Sequence, residues 1–265
     1  MFASDEEDGG GDVDVQLFQE PEGYYKPEIP PSFDSYDRIP KLVKQGEPSR
    51  ITLRLVGKSP LWGHLLWNAS KASANYLDRH GAELILNKNV LEVGAGAGLP
   101  SFISGINGAS KVVITDYPEP ELLENIQYNV DHALGDYGIG VFNVAGYVWG
   151  DDVTTITKPY LDQAADGFDL IILSDVVFNH SEHDKLLKTC TNALSRSNKQ
   201  AKIFVVFTPH RPWLFDRDLQ FFELAKSSYG FKVEKLFEEK WKPMFEEDEE
   251  TKELRSMVFG YYLYF

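Results

Sequence analysis

Residues 89–101 read Asn89-Val90-Leu91-Glu92-Val93-Gly94-Ala95-Gly96-Ala97-Gly98-Leu99-Pro100-Ser101: an apolar run, an acid, a glycine-rich bend and a helix start. Val90, Leu91 and Val93 suit a strand buried on both faces of a parallel sheet. Gly94, Gly96 and Gly98 permit a sharp turn and close approach by a ligand, because no Cβ intervenes. Pro100 falls in the first helical turn, where its missing N–H is not needed. Strand, bend and helix in this order offer free amides and a positive helix end to a ligand. Asp116 follows a second apolar run, Val112-Val113-Ile114-Thr115, about 22 residues past Gly94. That is the separation at which an acid meets a ribose hydroxyl. An ordinary tight turn with a capping Asp is the alternative at this point.

A dinucleotide fingerprint requires a third glycine three residues after the second. Counting from Gly94 and Gly96 that position is Leu99, and counting from Gly96 and Gly98 it is Ser101. Neither is glycine, so a nicotinamide dinucleotide is the weaker reading. The run Glu-x-Gly-x-Gly-x-Gly instead resembles motif I of the seven-strand S-adenosylmethionine (SAM) methyltransferases. A sulfonium cofactor carries no pyrophosphate, so an acid at the start of the loop is tolerable.

At 265 residues the chain is long enough for one large α/β domain with tails. Its hydrophobic content of 43% with 13% aromatics is that of a globular protein. A net charge of −15 argues against binding nucleic acid through a broad basic face. The same charge suits a basic protein partner, since opposite fields speed encounter. The single cysteine, Cys190, excludes an intrachain disulfide and is expected in the core of a helix. No signal-type apolar region and no run of spanning length occur, so no membrane association and a cytoplasmic location are expected.

Residues 1–22 hold eight acids and no base, a composition that predicts disorder. Prolines at 21, 27, 30, 31 and 40, among Tyr24, Tyr25, Phe33 and Tyr36, extend this into a tether or a segment lying on the domain. Ile51-Thr52-Leu53-Arg54-Leu55-Val56 alternates like an exposed strand. Residues 61–79 read as a helix, with Leu65, Leu66, Ala69, Ala72 and Tyr76 at helical spacing. Beyond the glycine bend the pattern predicts a helix through Ile106, the 112–115 strand and a helix over 119–133. A third strand follows at 139–144, and the strongest of all at 168–175. Asn179 or Ser181 is expected to cap the next helix, with Ser181 and Asp184 approximating a capping box. Strand 203–207, a helix near 215–227, and strands at 231–237 and 256–265 complete the chain. Alternating strands and helices imply parallel pairing with right-handed crossovers. The last two strands, with no helix between them, should form an antiparallel hairpin.

Several longer stretches resemble one family. They are Pro60-Leu61-Trp62-Gly63-His64-Leu65-Leu66-Trp67-Asn68-Ala69, Ser174-Asp175-Val176-Val177-Phe178-Asn179-His180-Ser181-Glu182-His183 and Trp241-Lys242-Pro243-Met244-Phe245-Glu246-Glu247-Asp248-Glu249-Glu250. Together with Pro118 and Thr208-Pro209-His210-Arg211-Pro212, they are similar to the fungal protein N-terminal and lysine methyltransferases of family 16. The resemblance implies an α/β fold: a seven-strand, Rossmann-like SAM-methyltransferase sheet, mostly parallel with a C-terminal antiparallel hairpin. The resemblance runs from about Leu17 to the C-terminus; with the composition of the N-terminal residues, the expected division is an acidic, proline-rich and partly disordered extension over 1–50 and a SAM-dependent methyltransferase domain over 51–265. The implied activity is trimethylation of the N-terminal glycine of translation elongation factor 1-alpha and methylation of an adjacent lysine, by a monomer. A small-molecule amine methyltransferase of nicotinamide type, or a non-catalytic SAM-fold interaction module, would share the fold.

Carried over by residue, the resemblance puts Gly94, Ala95 and Gly96 around the methionine end and ribose of SAM and Asp116 on the ribose hydroxyls. Trp149 would pack on the adenine, Ser174 would close the pocket, and Trp67 would line it from the preceding helix. Trp62 is a less direct liner of the same wall, and Ser174 is alternatively a buried, backbone-bonded hydroxyl. Methyl transfer needs an unprotonated amine. An α-amine of pKa about 7.7–8.0 is partly neutral near pH 7, whereas a lysine must shift by roughly three units. Asp175 is the candidate catalytic residue for positioning the substrate amine, with a structural cap as the alternative. Phe178 and Tyr147 could shape an aromatic channel for a methylammonium. His180 and His183 stand i, i+3 without a third ligand, so a solvated helix start is expected and no metal. The acidic run at 246–250 with Glu253 is expected to attract a basic substrate surface or to be simply solvated.

Overall fold

The computed structural model describes residues 30–57, 63–135, 137, 140–244 and 251–265. The readings on residues 1–29, on Trp62 and on the acidic run at 246–250 lie outside them.

An antiparallel pair comes first, β1 (Ser32–Asp37) with β2 (Arg50–Leu55), forming a two-stranded sheet of its own. There follow α1 (Asn68–Arg79), α2 (Gly81–Leu84), β3 (Asn89–Val93), α3 (Leu99–Ile106), β4 (Lys111–Asp116), α4 (Pro120–His132) and β5 (Phe142–Gly146). The chain continues through α5 (Thr154–Thr157), β6 (Leu170–Ser174), α6 (His183–Ala193), β7 (Lys202–Phe207) and α7 (Phe215–Tyr229). It ends in β8 (Lys232–Lys240), α8 (Lys252–Arg255) and β9 (Met257–Tyr264). The main sheet has seven strands in the order β5-β4-β3-β6-β7-β9-β8. The pairings from β5 to β7 are parallel, and β9 joins β7 and β8 antiparallel. The expected hairpin forms, but its connection carries the one-turn helix α8, which the sequence reading did not place there.

Apolar runs rather than alternation mark the central strands because both faces are covered. Val90, Val112, Ile114, Leu170, Ile172, Phe204 and Val206 face one core, packed by α1, α3 and β2. Their neighbours Leu91, Val93, Val113, Ile171, Leu173, Ile203, Val205 and Phe207 face the other, filled by Leu186, Leu187, Cys190 and Phe221 of α6 and α7. Cys190 is fully buried on its helix, as expected.

The expected boundary at residue 50 falls inside the β1–β2 hairpin. Tyr36 of β1 is in the core and donates its hydroxyl to Asn75 Oδ1 at 2.7 Å. Arg38 is 3% exposed and grips Asp78 of α1 through Nε at 3.0 Å and Nη2 at 2.9 Å. Its Nη1 donates to Glu47 at 2.9 Å. A buried guanidinium needs this many carboxylate oxygens. Residues 32–50 are therefore clamped onto the domain.

Two other expectations change. The helix over 61–79 begins only at Asn68: Trp67 is extended at ψ 149°, so Leu65 and Leu66 precede the helix rather than repeat along it. Neither Asn179 nor Ser181 caps α6. A 3-10 turn at His180–Glu182 leads in, Glu182 takes the cap position without a side-chain bond, and Ser181 Oγ donates to Asn179 Oδ1.

Candidate functional site

From β3 the sheet order runs outward one way through β4 and β5, and the other way through β6 and β7. The reversal lies between β3 and β6, and a crevice opens there at the carboxyl ends of the strands, where open α/β sheets bind ligands. It is a cavity of about 720 Å³, within the range of small-molecule sites. Of the residues expected around a cofactor, Trp67, Gly94, Ala95, Gly96, Asp116, Trp149 and Ser174 line it. Asp175 and Phe178 line it too.

The glycine loop folds by bonding to the neighbouring strand. Gly94 and Ala95 amides both donate to Thr115 O, at 2.9 and 3.0 Å, while the loop turns through positive φ at Gly94, Gly96 and Gly98. At Gly94 (φ +70°) a Cβ would stand 2.8 Å from Val176 Cγ1 and 3.2 Å from Trp149 Cζ2. Glycine is thus required there by conformation and by space. Asp116 ends β4 and accepts the Gly96 amide on Oδ2 and the Tyr117 amide on Oδ1, each at 2.7 Å. Burial raises its carboxyl above the ordinary aspartate value, opposed by those two amide bonds. The acid thus holds the bend in shape and still faces the cavity with remaining lone pairs, as a ribose diol requires.

Glu92, the acid that opens the motif, does not line the cavity. It is 1% exposed and its Oε2 accepts the amide and hydroxyl of Ser101 at the start of α3. Burial pushes it up to about 8 against the pull of those bonds. Its role is to tie β3 to the helix.

Trp67, at the N-terminal cap of α1, sets its ring edge-on to His210 with centroids 4.8 Å apart. Ser174 ends β6, and its Oγ lies 3.2 Å from Ser73 Oγ of α1, so the hydroxyl pairs with a side chain rather than with backbone. Tyr147 forms part of the wall, but its hydroxyl is spent on Asp151 O at 2.8 Å and Thr189 Oγ1 at 3.2 Å, which anchors the Trp149 loop to α6. The two histidines of the helix start are both bonded to protein groups, and only His183 is withdrawn from solvent. His183 is buried with Nε2 on Val177 O at 2.7 Å, and His180 Nε2 meets Asp218 at 2.6 Å. Among the described residues no group of three or more His, Cys, Asp or Glu could hold a metal ion, and no helix is long and apolar enough to cross a membrane.

Sequence reading missed His210, Arg211, Met244 and Arg255 as cavity residues. His210 follows β7 by three residues, and the carboxyl end of a strand beside the switch point was the available signal.

A seven-strand sheet closed by an antiparallel hairpin, with a glycine loop and an acid over the switch point, is the architecture of the SAM-dependent methyltransferases. A Streptococcus mutans protein described as a SAM-dependent methyltransferase shares it at TM-score 0.55 and 12% identity, over 80% of this chain and 53% of that one, so the chain spans about half its length. The YcgJ protein of a Bacillus species matches at TM-score 0.52 and 12% identity, over 73% of this chain and 97% of that one. Within this class the chain belongs to the family described as Lysine methyltransferase, which matches residues 52–228. "Protein N-terminal and lysine N-methyltransferase EFM7" of Yarrowia lipolytica is 50% identical, over 93% of this chain and 94% of its own length. The efm7 proteins of Aspergillus fumigatus and Schizosaccharomyces pombe are 44% and 43% identical, over 97% and 92% of this chain.

Proposed function

We propose that the chain transfers methyl groups from SAM to the N-terminal amine and an adjacent lysine of a protein substrate, translation elongation factor 1-alpha, as a cytoplasmic monomer. The observation that carries the reading is identity of 50% along nearly the whole chain to a protein named for both activities. The cavity supports it: an open glycine bend, an acid at the end of β4 and the indoles of Trp67 and Trp149 form a fitting cradle for a sulfonium nucleoside. Bound there, SAM supplies an electrophilic methyl group on a positively charged sulfur.

The protein's own residues must then align the amine and see that it is neutral. Alignment alone can supply several kcal/mol. The α-amine is the easier acceptor, because a lysine costs about 3.5 kcal/mol more to deprotonate at pH 7. In this reading Asp175 positions the amine indirectly, since both its carboxylate oxygens already hold protein donors. Phe178 offers an aromatic face beside it on the cavity wall.

Incubation with labelled SAM and recombinant elongation factor 1-alpha, followed by intact-mass analysis of the N-terminal peptide, tests the assignment. Mass gains in steps of one methyl on that peptide are expected. Label entering nicotinamide and not the protein would replace this reading with the small-molecule one.

A further inference from the structure

The neighbouring parallel strands β6 and β7 end side by side, and side chains lace their outgoing loops together. Asp175 Oδ1 accepts the Thr208 amide at 3.1 Å, and its Oδ2 meets His210 Nε2 at 2.8 Å. Arg211 Nη2 donates to the Phe178 carbonyl. Asp175 adopts φ +60°, and among the described residues only Asn87 is another non-glycine at positive φ. That left-handed conformation is strained for a residue with a Cβ, and such strain gathers at functional sites. Here it sets a carboxylate, 5% exposed at its side chain, against a ring nitrogen. The ring itself is 23% exposed, lines the cavity and leans on Trp67. With Nε2 on the carboxylate, Nδ1 has no hydrogen-bond partner among the described residues.

We propose that His210, held by Asp175, is the general base that takes the proton from the substrate ammonium before methyl transfer. This rests on the methyltransferase reading above. The ammonium N–H bond breaks, its electron pair stays on nitrogen, and the proton passes to Nδ1. The imidazolium so formed presents its other N–H to Asp175. The freed pair forms the new N–C bond, and the electrons of the broken C–S bond remain on sulfur. Water takes the proton from His210 before the next round. The mono- and dimethylated ammonium must each lose a proton before the next transfer, so repeated methylation calls on the base each time.

The surroundings suit an imidazole that cycles. Burial disfavours the charged ring, but the charge and hydrogen bond of Asp175 outweigh it, with Asp218 adding to them and Arg255 opposing. The ring therefore titrates above the ordinary histidine value. A base is most effective when its pKa lies near the working pH. The rate should rise with pH as the imidazolium empties.

The test combines steady-state transfer to an amine peptide, S-adenosylhomocysteine binding by calorimetry, and histidine NMR titration of the ligand-free protein. His210→Gln should lower kcat about 100-fold, keep the affinity for S-adenosylhomocysteine within about twofold, and lose the rising limb of the pH profile. Asp175→Asn should move the His210 NMR midpoint down, and the kinetic limb with it. An unchanged kcat and limb in His210→Gln overturns the proposal while leaving the methyltransferase standing. Should that variant not fold, a wild-type limb that does not coincide with the NMR midpoint overturns it equally. A wild-type protein that methylates no amine overturns the methyltransferase reading first, and the base with it.

Discussion

At the scale of single residues, the glycine loop separates two demands that motif reading merges. Gly94 lacks both room and the right φ for a side chain, whereas at Gly96 (φ +57°) a Cβ would meet nothing within 4 Å. Gly94→Ala must push Val176 or Trp149 aside, and both line the cavity. It should weaken S-adenosylhomocysteine binding more than tenfold by calorimetry. Gly96→Ala carries mainly the conformational cost of about 1–2 kcal/mol in melting experiments. Equal binding losses in the two variants would refute the distinction. Glu92 gives a pH prediction. Unfolded, its carboxyl ionises near 4.5, while folded it holds its proton to about 8. Between those values only the unfolded state sheds the proton, so stability is full below pH 4.5 and declines as pH rises toward 8. Glu92→Gln, neutral throughout, should flatten that decline by a few kcal/mol in urea titrations at pH 5 and about pH 8. Most of the cavity wall was legible because its residues sit in contiguous motifs at strand ends. The partnership of Asp175 with His210 was not: 35 residues separate them, and only the pairing of β6 with β7 joins them.

Among the elements, those buried on both faces were the easiest to read, since strands such as β3, β6 and β7 are nearly unbroken apolar runs. The hairpin strand β1 was not legible. Its sequence, SFDSYD, buries only Tyr36, and its pairing to β2 spans an irregular loop. Leu65 and Leu66 misled for a related reason: their apolar character serves the cavity wall, not a helical stripe. The hairpin is held by charge as well as by packing. Asn107 Nδ2 joins Arg38 on Asp78 at 2.9 Å, and the side chains of Arg38 and Asp78 are each 1% exposed. Arg38→Ala leaves the Asp78 and Glu47 carboxylates buried without their cation, a loss of about 3–5 kcal/mol. A drop in melting temperature of roughly 10 °C is expected, and a shift under 2 °C would show that the clamp matters little. The hairpin also reaches the site. Asn129 of α4 donates from Nδ2 to Arg54 O of β2 at 2.9 Å and to Ala97 O of the glycine loop at 3.2 Å. A chain beginning at residue 51 loses β1 and Arg38 together. It should therefore bind S-adenosylhomocysteine poorly at temperatures the full chain tolerates.

For the molecule as a whole, the governing quantity is its charge of −15. Both proposed acceptor amines arrive as cations, so the protein's field draws them in even though the reaction needs them neutral. Long-range attraction speeds encounter without favouring the chemical step, and salt screens it over about 10 Å at 0.1 M. The acidic run at 246–250 lies in sequence between Met244 and Arg255, and both of those line the cavity. The run carries the densest negative charge of the C-terminal region. With a peptide carrying a free N-terminus and a lysine beside it, kcat/KM should fall several-fold as salt rises from about 50 to about 500 mM. Replacing the run by Gln and Asn should raise KM, leave kcat within about twofold and flatten that dependence, because encounter rather than chemistry has been altered. If the variant keeps the salt slope of the parent, the attraction comes from elsewhere on the surface and the run is merely solvated.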